Sequence, residues 1–400
     1  MKRQNLLGVL LVLLLSSLNG CTSEPNIYEK SKEFSRSDFF DFATTETPIL
    51  NLNYNLINYS VRFEVYAQNP FVDESNQELK ANIEPLFFSY TDADGKYSGN
   101  IRVQSELDKV YIYSEYVGVP CLVEAQITKG GISFDLRNAS KARTKARAIE
   151  AGDAKVLGSW DADGVPDYLL PERAKISGNY LYTITQLLKW SNTSGVITRN
   201  PELLGEDRSS ELKIIKASPV RLSFIGESAS VKNKIGYYCY KTLNGAPKTT
   251  ADIQKILAFP NASLAFGGGN LSCGEQIQLK YWDGIQWKDE FPAGVTIGWY
   301  VQSQNYTFYS TSALNIEPKA YQKHDIGFYD NNNLEFDGVT FSVEDRLRSA
   351  DTPGTFNDVV CHALVNKGSI DKSGLESIVA EPEPEPKPEE EKNALTYTGT

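Results

Sequence analysis

Apolar and polar residues alternate in short stretches from Ile49 onward. Val61, Phe63 and Val65 are separated by polar residues, which is the period-two pattern of a half-buried strand. Further short apolar runs occupy residues 86–90, 110–113, 122–125 and 132–136, with an Asp-Gly turn signal within 91–96. Short strands with turn signals between them predict a β-sandwich over residues 49–138.

A second, longer β pattern covers residues 176–372, with alternation beginning near Val220. Its strand candidates lie at residues 222–224, 235–240, 279–282, 295–301, 325–329, 339–343 and 358–365. A helix is predicted from the spacing of Leu181, Ile184 and Leu188, capped by a residue near 177–179, and a second short helix is predicted at 251–258. We therefore expect a mainly β protein, in which an N-terminal sandwich precedes a larger β-rich domain with one or two short helices.

Polar segments separate and flank these two domains. Residues 139–175 are predicted to be a linker that contains an Asp-rich loop. Residues 373–394 are predicted to be an extended spacer, because Pro alternates with Glu within 380–392, which disfavours helix and sheet. Residues 395–400 have the pattern of a starting strand, so we expect them to begin a further domain.

The N-terminus has the pattern of an export signal. Lys2 and Arg3 precede an apolar run at 6–15, which is too short for a transmembrane helix. The small residue Gly20 lies directly before Cys21. This arrangement resembles the lipobox of bacterial lipoproteins, in which residues 1–20 are removed and the new N-terminal cysteine receives lipid. The alternative is an ordinary secretory signal in which Cys21 has no special role.

Lipidation of Cys21 would anchor the chain to a membrane, with residues 21–48 as a tether. Thr22 stands where inner-membrane lipoproteins can carry a retaining Asp, so we expect the outer membrane and the cell surface.

The net charge and the number of cysteines limit which partners and which covalent cross-links are expected. The net charge is −11, and it becomes −13 once Lys2 and Arg3 are removed, so nucleic acid is not an expected partner. Four further cysteines, an even number, are available in an oxidising compartment. They form either one or two disulfides or four buried thiols, and spacing does not decide between these. The four are Cys121, Cys239, Cys273 and Cys361.

Acidic residues late in the second domain form the strongest candidate site. Glu344 and Asp345 end one strand candidate, whereas Asn357 and Asp358 begin the next. A hairpin would bring these ends together, and side-chain alternation would let one residue of each pair share a face. With Asp351 from the intervening stretch, these oxygens predict a Ca²⁺ site. The alternative is that the side chains accept backbone hydrogen bonds and fix the hairpin.

A second acidic loop lies in the predicted linker. Asp161, Asp163 and Asp167 surround Gly164 and resemble the calcium loops of thrombospondin-type repeats. The alternative is an interdomain turn that binds nothing.

Catalytic motifs are absent from the sequence: it has two histidines and neither an HExxH nor a GxSxG motif. We expect no enzyme, although Glu344 with Asp358 is a formal glycosidase pair. Aromatic residues cluster at Trp282, Trp287 and 299–300, and they form either β core or an exposed surface that binds sugars or a protein partner.

Short motifs spread over residues 49–370 resemble the LruC-domain lipoproteins of Gram-negative bacteria. They include residues 259–261, 291–299, 314–315 and 356–358, together with His324. Residues 90–101 also resemble a prealbumin-like sandwich. The resemblance implies an acidic β module that binds Ca²⁺ in a surface role. The chain departs from the family at 342–343, where Gly-Phe is usual, and at Thr355, where Asp is usual.

These patterns predict a non-enzymatic, lipid-anchored surface protein that acts in adhesion or surface assembly, with Ca²⁺ as its cofactor and a surface protein or glycan as its partner. A glycan-binding lipoprotein of a polysaccharide uptake system is the alternative.

Overall fold

The computed structural model describes residues 44–72, 79–138, 149–188, 201–229, 231–265 and 267–380. The predicted signal peptide, Cys21 and nearly all of the predicted tether lie outside the described residues. Residues 381–400, which hold most of the predicted spacer and the start of the predicted further domain, lie outside them as well.

Nine strands form the first β unit, residues 45–138. They are β1 Thr45–Glu46, β2 Ile49–Asn53, β3 Arg62–Tyr66, β4 Phe87–Tyr90, β5 Lys96–Asn100, β6 Val103–Gln104, β7 Lys109–Tyr113, β8 Leu122–Thr128 and β9 Gly131–Asp135. Seven of them are hydrogen-bonded in the order β4-β3-β7-β8-β9-β2-β5, while β1 pairs with β6. Strand β8 pairs with β7 as far as Gln126 and with β9 from Ile127, so it joins the two halves of the sheet.

The two ends of this sheet face each other across a common core. The rings of Phe87 on β4 and Tyr97 on β5 lie 5.8 Å apart, although these are the two outermost strands. Phe63 on β3 lies 5.0 Å from the same tyrosine ring. A sheet that packs on itself in this way is a sandwich. The predicted β architecture is confirmed, whereas its prealbumin-like character stays a prediction.

The second β unit, residues 149–380, contains fifteen strands among its described residues. They are β10 Lys155–Val156, β11 Leu212–Ile214, β12 Val220–Glu227, β13 Lys234–Lys241, β14 Ile256–Phe259, β15 Gln276–Gln278, β16 Tyr281–Trp282, β17 Trp287–Lys288, β18 Val295–Gln302, β19 Thr307–Tyr309, β20 Asp325–Asp330, β21 Phe336–Val343, β22 Val359–Asn366, β23 Ile370–Asp371 and β24 Glu376–Ile378.

Two sheets of the second unit enclose its core. One has the order β10-β14-β13-β18-β11-β23, with β19 paired to β18, and the other has the order β15-β12-β22-β21-β20-β24. Trp299 on β18 stacks on Phe341 of β21 with ring centroids 4.4 Å apart, so the centres of the two sheets are in direct contact. Strands β16 and β17 form a separate hairpin.

One α-helix, α1 (Gly178–Leu188), lies in the described part of the chain and confirms the predicted helix. Its buried face joins the core of the first β unit, where the Thr185 hydroxyl contacts the Tyr59 hydroxyl at 3.2 Å and accepts from the Val117 amide at 3.0 Å. On the other side, the Tyr180 hydroxyl lies 2.9 Å from that of Thr340 on β21. The helix therefore connects the two β units. No helix among the described residues is long and apolar enough to cross a bilayer.

The second predicted helix, at 251–258, is wrong. Only a 3₁₀ turn forms at Thr250–Asp252, with a capping box between Thr249 and Asp252. The chain then enters β14, whose residues are all buried. Strand β14 pairs with β10 on one side and β13 on the other, so sheet pairing satisfies its backbone better than a short helix would.

Parts of the predicted linker, tether and spacer belong to the fold, because their backbone is hydrogen-bonded to the two β units. In the predicted linker, β10 pairs with β14, and the Ala174 amide donates to the Gly274 carbonyl at 2.8 Å. The predicted tether ends earlier, since β1 pairs with β6. The predicted spacer starts later, since β24 runs parallel to β20.

The four described cysteines are free thiols and form no disulfides with one another, so the free-thiol alternative holds. Burial raises the pKa of Cys121 and Cys273 to about 12, and it raises the pKa of Cys239 and Cys361 as well. The thiols therefore stay protonated and unreactive at neutral pH.

Candidate functional site: a buried carboxylate cluster

Three carboxylates meet at one end of the β21–β22 hairpin. The two strands are antiparallel neighbours, and their pairing ends at Val343 opposite Val359. Glu344 and Asp345 follow β21 directly, and Asp358 precedes β22. Each offers an oxygen within 4.8 Å of the others, and their exposed fractions are only 2, 3 and 3%. We call these three residues the carboxylate cluster.

The expectation that only one of Glu344 and Asp345 faces this site is wrong. Side chains alternate only while the chain remains a strand, and β21 ends at Val343. Beyond it, the Glu344 amide donates to the His324 carbonyl at 2.8 Å, and the Asp345 amide turns towards Asp358. Both acidic side chains therefore reach the same buried space.

Glu344 is held by the connection between the two strands. Its Oε2 accepts from the amides of Thr355 and Phe356, the latter at 3.1 Å. Phe356 has a φ of +56°, a left-handed conformation unusual for an aromatic residue. Gly354 has a φ of +93°, which favours glycine, and a Cβ there would come within 2.8 Å of Oε2.

Asp345 and Asp358 are joined to each other and to a residue far away in sequence. The Asp345 amide donates to Asp358 Oδ2 at 2.7 Å, and Asn233 Nδ2 donates to Asp345 Oδ2 at 2.7 Å. Asn233 is 1% exposed, and its Oδ1 has no hydrogen-bond partner among the described residues. An unpaired amide carbonyl oxygen thus belongs to a residue that contacts Asp345 of the cluster. Sequence analysis missed Asn233 because it lies 112 positions from Asp345.

The negative charge of the carboxylate cluster is only weakly compensated by nearby cationic side chains. Burial raises the pKa of Asp358 well above its usual value, and the charges of Glu344 and Asp345 raise it further. Burial also raises the pKa of Asp345. Arg346 Nε lies 3.7 Å from Glu344 Oε1 and 3.9 Å from Asp345 Oδ1, but its side chain is 67% exposed. The site therefore favours a proton or a cation.

The second nearby arginine is held by backbone oxygens. Arg348 is buried, and its guanidinium donates to the carbonyl of Pro353 at 2.7 Å and to that of Lys323. It also covers the Phe356 ring at 4.7 Å. Its charge acts on Glu344 from a distance, so Arg348 holds the connection in place more than it neutralises the cluster.

The other predicted ligands lie elsewhere. Asp351 is exposed in the connection and is not part of the cluster, whereas Asn357 is buried next to Asp358 in the chain.

The Asp-rich loop does not form a comparable group. Asp161 Oδ1 accepts from the amides of Asp163 and Val165, both at 2.9 Å, and Asp167 accepts from the Ser159 amide at 3.0 Å. Within the described ranges, the carboxylate cluster alone brings three metal-ligating side chains within 4.8 Å. The contacts of this loop are those of a turn.

The aromatic residues divide between core and surface. Trp299 and Tyr300 are buried, which matches the core interpretation. Trp282 and Trp287 are half-buried on the β16–β17 hairpin, with ring centroids 5.1 Å apart, and Lys155 Nζ lies 4.3 Å from the Trp282 ring.

Both histidines are buried. His324 Nε2 lies 2.7 Å from Glu317 Oε1, and its Nδ1 lies 3.0 Å from the Glu344 carbonyl oxygen. These two contacts hold the ring in place beside the cluster, and burial lowers the pKa of His324.

Comparison with known proteins characterises the first β unit only. No curated protein and no solved structure matches the chain. Residues 48–136 match the family model described as a domain of unknown function, DUF8469. This range coincides closely with the first β unit, and it excludes the carboxylate cluster.

Proposed function

We propose that this protein is a non-enzymatic lipoprotein of the outer membrane, anchored through Cys21 and related to the LruC-domain lipoproteins, which binds Ca²⁺ and acts in adhesion or assembly at the cell surface. The observation that carries the proposal is the carboxylate cluster with the unpaired Asn233 oxygen beside it.

The ligand set favours calcium over other metals. Ca²⁺ takes six to eight oxygen ligands in flexible geometry, whereas zinc prefers nitrogen and sulfur. The cluster offers three carboxylates, and rotation of the Asn233 amide about its last bond would present Oδ1 in place of Nδ2. A bound divalent cation would also offset the buried negative charge, which is costly on its own.

The position of the cluster explains what an ion would do for the fold. Asp345 and Asp358 belong to the sheet that contains β21 and β22, whereas Asn233 directly precedes β13 of the other sheet. An ion held by both sides would link the two sheets of the sandwich. Such stiffening suits a protein exposed to the extracellular medium, where calcium-binding modules have dissociation constants of roughly 10⁻⁴–10⁻³ M.

Calcium binding is tested by thermal unfolding of the purified protein in EGTA and in increasing CaCl₂, with MgCl₂ as the comparison. We expect the melting temperature to rise and saturate with Ca²⁺, and to rise much less with Mg²⁺. An unchanged melting temperature at 10-fold molar excess and at millimolar Ca²⁺ would remove the metal from the proposal.

The anchor is tested separately in cells fed a clickable fatty acid. We expect the wild-type protein to become labelled and the Cys21→Ser variant to remain unlabelled and to leave the membrane fraction. Equal membrane association of the two proteins would refute the anchor.

A further inference from the structure

A cavity of about 480 Å³ lies in the second β unit, and no residue of the carboxylate cluster lines it. One wall is the segment 172–177 that leads into α1. Other parts of the wall come from Arg221 on β12, His362 on β22 and the turn between β20 and β21. The volume lies within the range of small-molecule sites, roughly 300–1,000 Å³.

The cavity wall is polar and its formal charges balance. Three carboxylates and three cationic side chains line it: Glu172, Asp330 and Glu335, and Arg173, Lys175 and Arg221. Such a wall offers many hydrogen bonds but no net charge, so it favours a neutral polar ligand over an anion or an apolar molecule.

His362 supplies a buried polar group with a free ring nitrogen. It is 1% exposed, and its Nδ1 lies 2.8 Å from the Thr340 hydroxyl, which in turn contacts Tyr180. No described residue is hydrogen-bonded to Nε2. Burial lowers the pKa of His362 to about 4, so the ring is neutral at physiological pH. A Cβ on Gly338 would come within 2.8 Å of Nε2, so glycine keeps this space open.

Fixed acceptors and donors line the same cavity. Asp330 is 4% exposed, and its Oδ1 is oriented by the Asn332 amide at 3.0 Å. Gln276 Nε2 donates to the Glu172 carbonyl at 2.9 Å, which leaves its Oε1 without a partner among the described residues. Arg221 lies 5.7 Å from the centroid of the Phe336 ring, the one aromatic ring besides His362 in the wall.

We propose that this cavity binds a neutral, hydroxyl-rich ligand of the size of a mono- or disaccharide. Each sugar hydroxyl both donates and accepts, which suits a wall that mixes carboxylates, amides, a guanidinium and a neutral imidazole. The C–H face of a sugar ring packs on an aromatic ring, as Phe336 allows. This site uses different residues from the calcium site and stands independently of it.

The test uses NMR of the two histidine rings, because the chain contains only two histidines. The ¹⁵N-labelled protein is titrated with glucose, galactose, N-acetylglucosamine, maltose and cellobiose, and separately with inorganic phosphate. We expect at least one sugar to shift the His362 ring signals in a saturable manner and to leave those of His324 unchanged. If no sugar shifts His362, or if phosphate alone does so, the proposal is overturned.

A pair of matched variants locates the binding. Arg221→Gln removes a cation from the cavity wall, whereas Arg102→Gln removes an exposed arginine of the first β unit. We expect Arg221→Gln to weaken sugar binding about tenfold, the loss of one charge-assisted hydrogen bond. Arg102→Gln should bind as the wild type does. Equal affinity in both variants would place the sugar outside the cavity and refute the proposal.

Discussion

The backbone amide of Asp345 donates a 2.7 Å hydrogen bond to Oδ2 of Asp358, thirteen residues further along the chain. This bond joins the end of β21 to the start of β22 and fixes two carboxyl groups side by side in a buried space. Glu344 is held next to them by the amides of residues 355–356. The backbone thus keeps three like charges together, an arrangement that a bound cation would stabilise.

Asp358→Asn should abolish stabilisation by calcium without unfolding the apoprotein. Its Oδ1 can still accept the Asp345 amide, while one buried negative charge is removed. The wild type should gain about 2.7 kcal/mol of unfolding free energy at a calcium concentration 100-fold above its dissociation constant. The variant should gain almost none, as measured by urea unfolding with and without Ca²⁺.

Asp351→Asn is the matched control, since Asp351 lies in the same connection but is exposed. It should retain the full calcium effect. Loss of that effect in both variants would mean that calcium binds through the general negative charge of this region and not through the cluster.

The site was partly predictable because its hairpin is local in sequence. The strand patterns around Val343 and Val359 are separated by a short polar stretch, which predicts an antiparallel pair. The pattern could not show that β21 stops at Val343. Because the strand ends there, side-chain alternation no longer applies, and Glu344 and Asp345 both reach the carboxylate cluster. Asn233 carries no local signal, since its contact with Asp345 depends on the packing of two sheets.

The errors in the fold have the same origin. Residues 251–258 contain helix-compatible residues behind a good cap, but β14 lies between β13, the preceding strand, and β10, which is far away in sequence. Tertiary pairing outweighs local propensity there. The same holds for β24, three residues that become a strand only because β20 presents a free edge.

Asp325→Asn should stabilise the protein at neutral pH. Burial raises the pKa of Asp325 from 3.8 to about 6. Between these pH values the folded state still binds a proton that the unfolded state has released, so this group lowers the free energy of unfolding as the pH rises. The unfolding free energy of the variant should therefore exceed that of the wild type by an amount that grows as the pH rises from 4 to 7 and reaches about 1–3 kcal/mol.

The difference in unfolding free energy between the wild type and Asp325→Asn reports Asp325 alone, because the opposing effect of His362 cancels. The pKa of His362 is lowered from 6.5 to about 4 by burial. His362 therefore lowers the free energy of unfolding as the pH falls through that window, and it does so equally in both proteins. Urea unfolding at several pH values measures the difference, with the exposed Asp289→Asn as control. A difference that does not change with pH would contradict the assignment.

Ile184→Ala should destabilise both β units together. Ile184 is fully buried in the core that α1 shares with the first β unit, and such truncations cost about 2–5 kcal/mol. Hydrogen exchange should accelerate both in β7 and in β21, because the helix contacts both sides. Gln186→Ala changes an exposed position of the same helix and should stay within about 0.5 kcal/mol of the wild type. Faster exchange in β7 alone would show that the units unfold separately.

Thiol counting should reveal the state of Cys21. The chain has five cysteines, and the four described ones are free. In the native protein at pH 8, Ellman's reagent should react slowly, because burial raises the pKa of all four thiols. In guanidinium chloride, protein purified from membranes should give four thiols, since a thioether at Cys21 does not react. The same chain produced from residue 21 onward in the cytoplasm should give five. Five thiols in the membrane-derived protein would refute lipidation, and fewer than four would indicate that disulfides form.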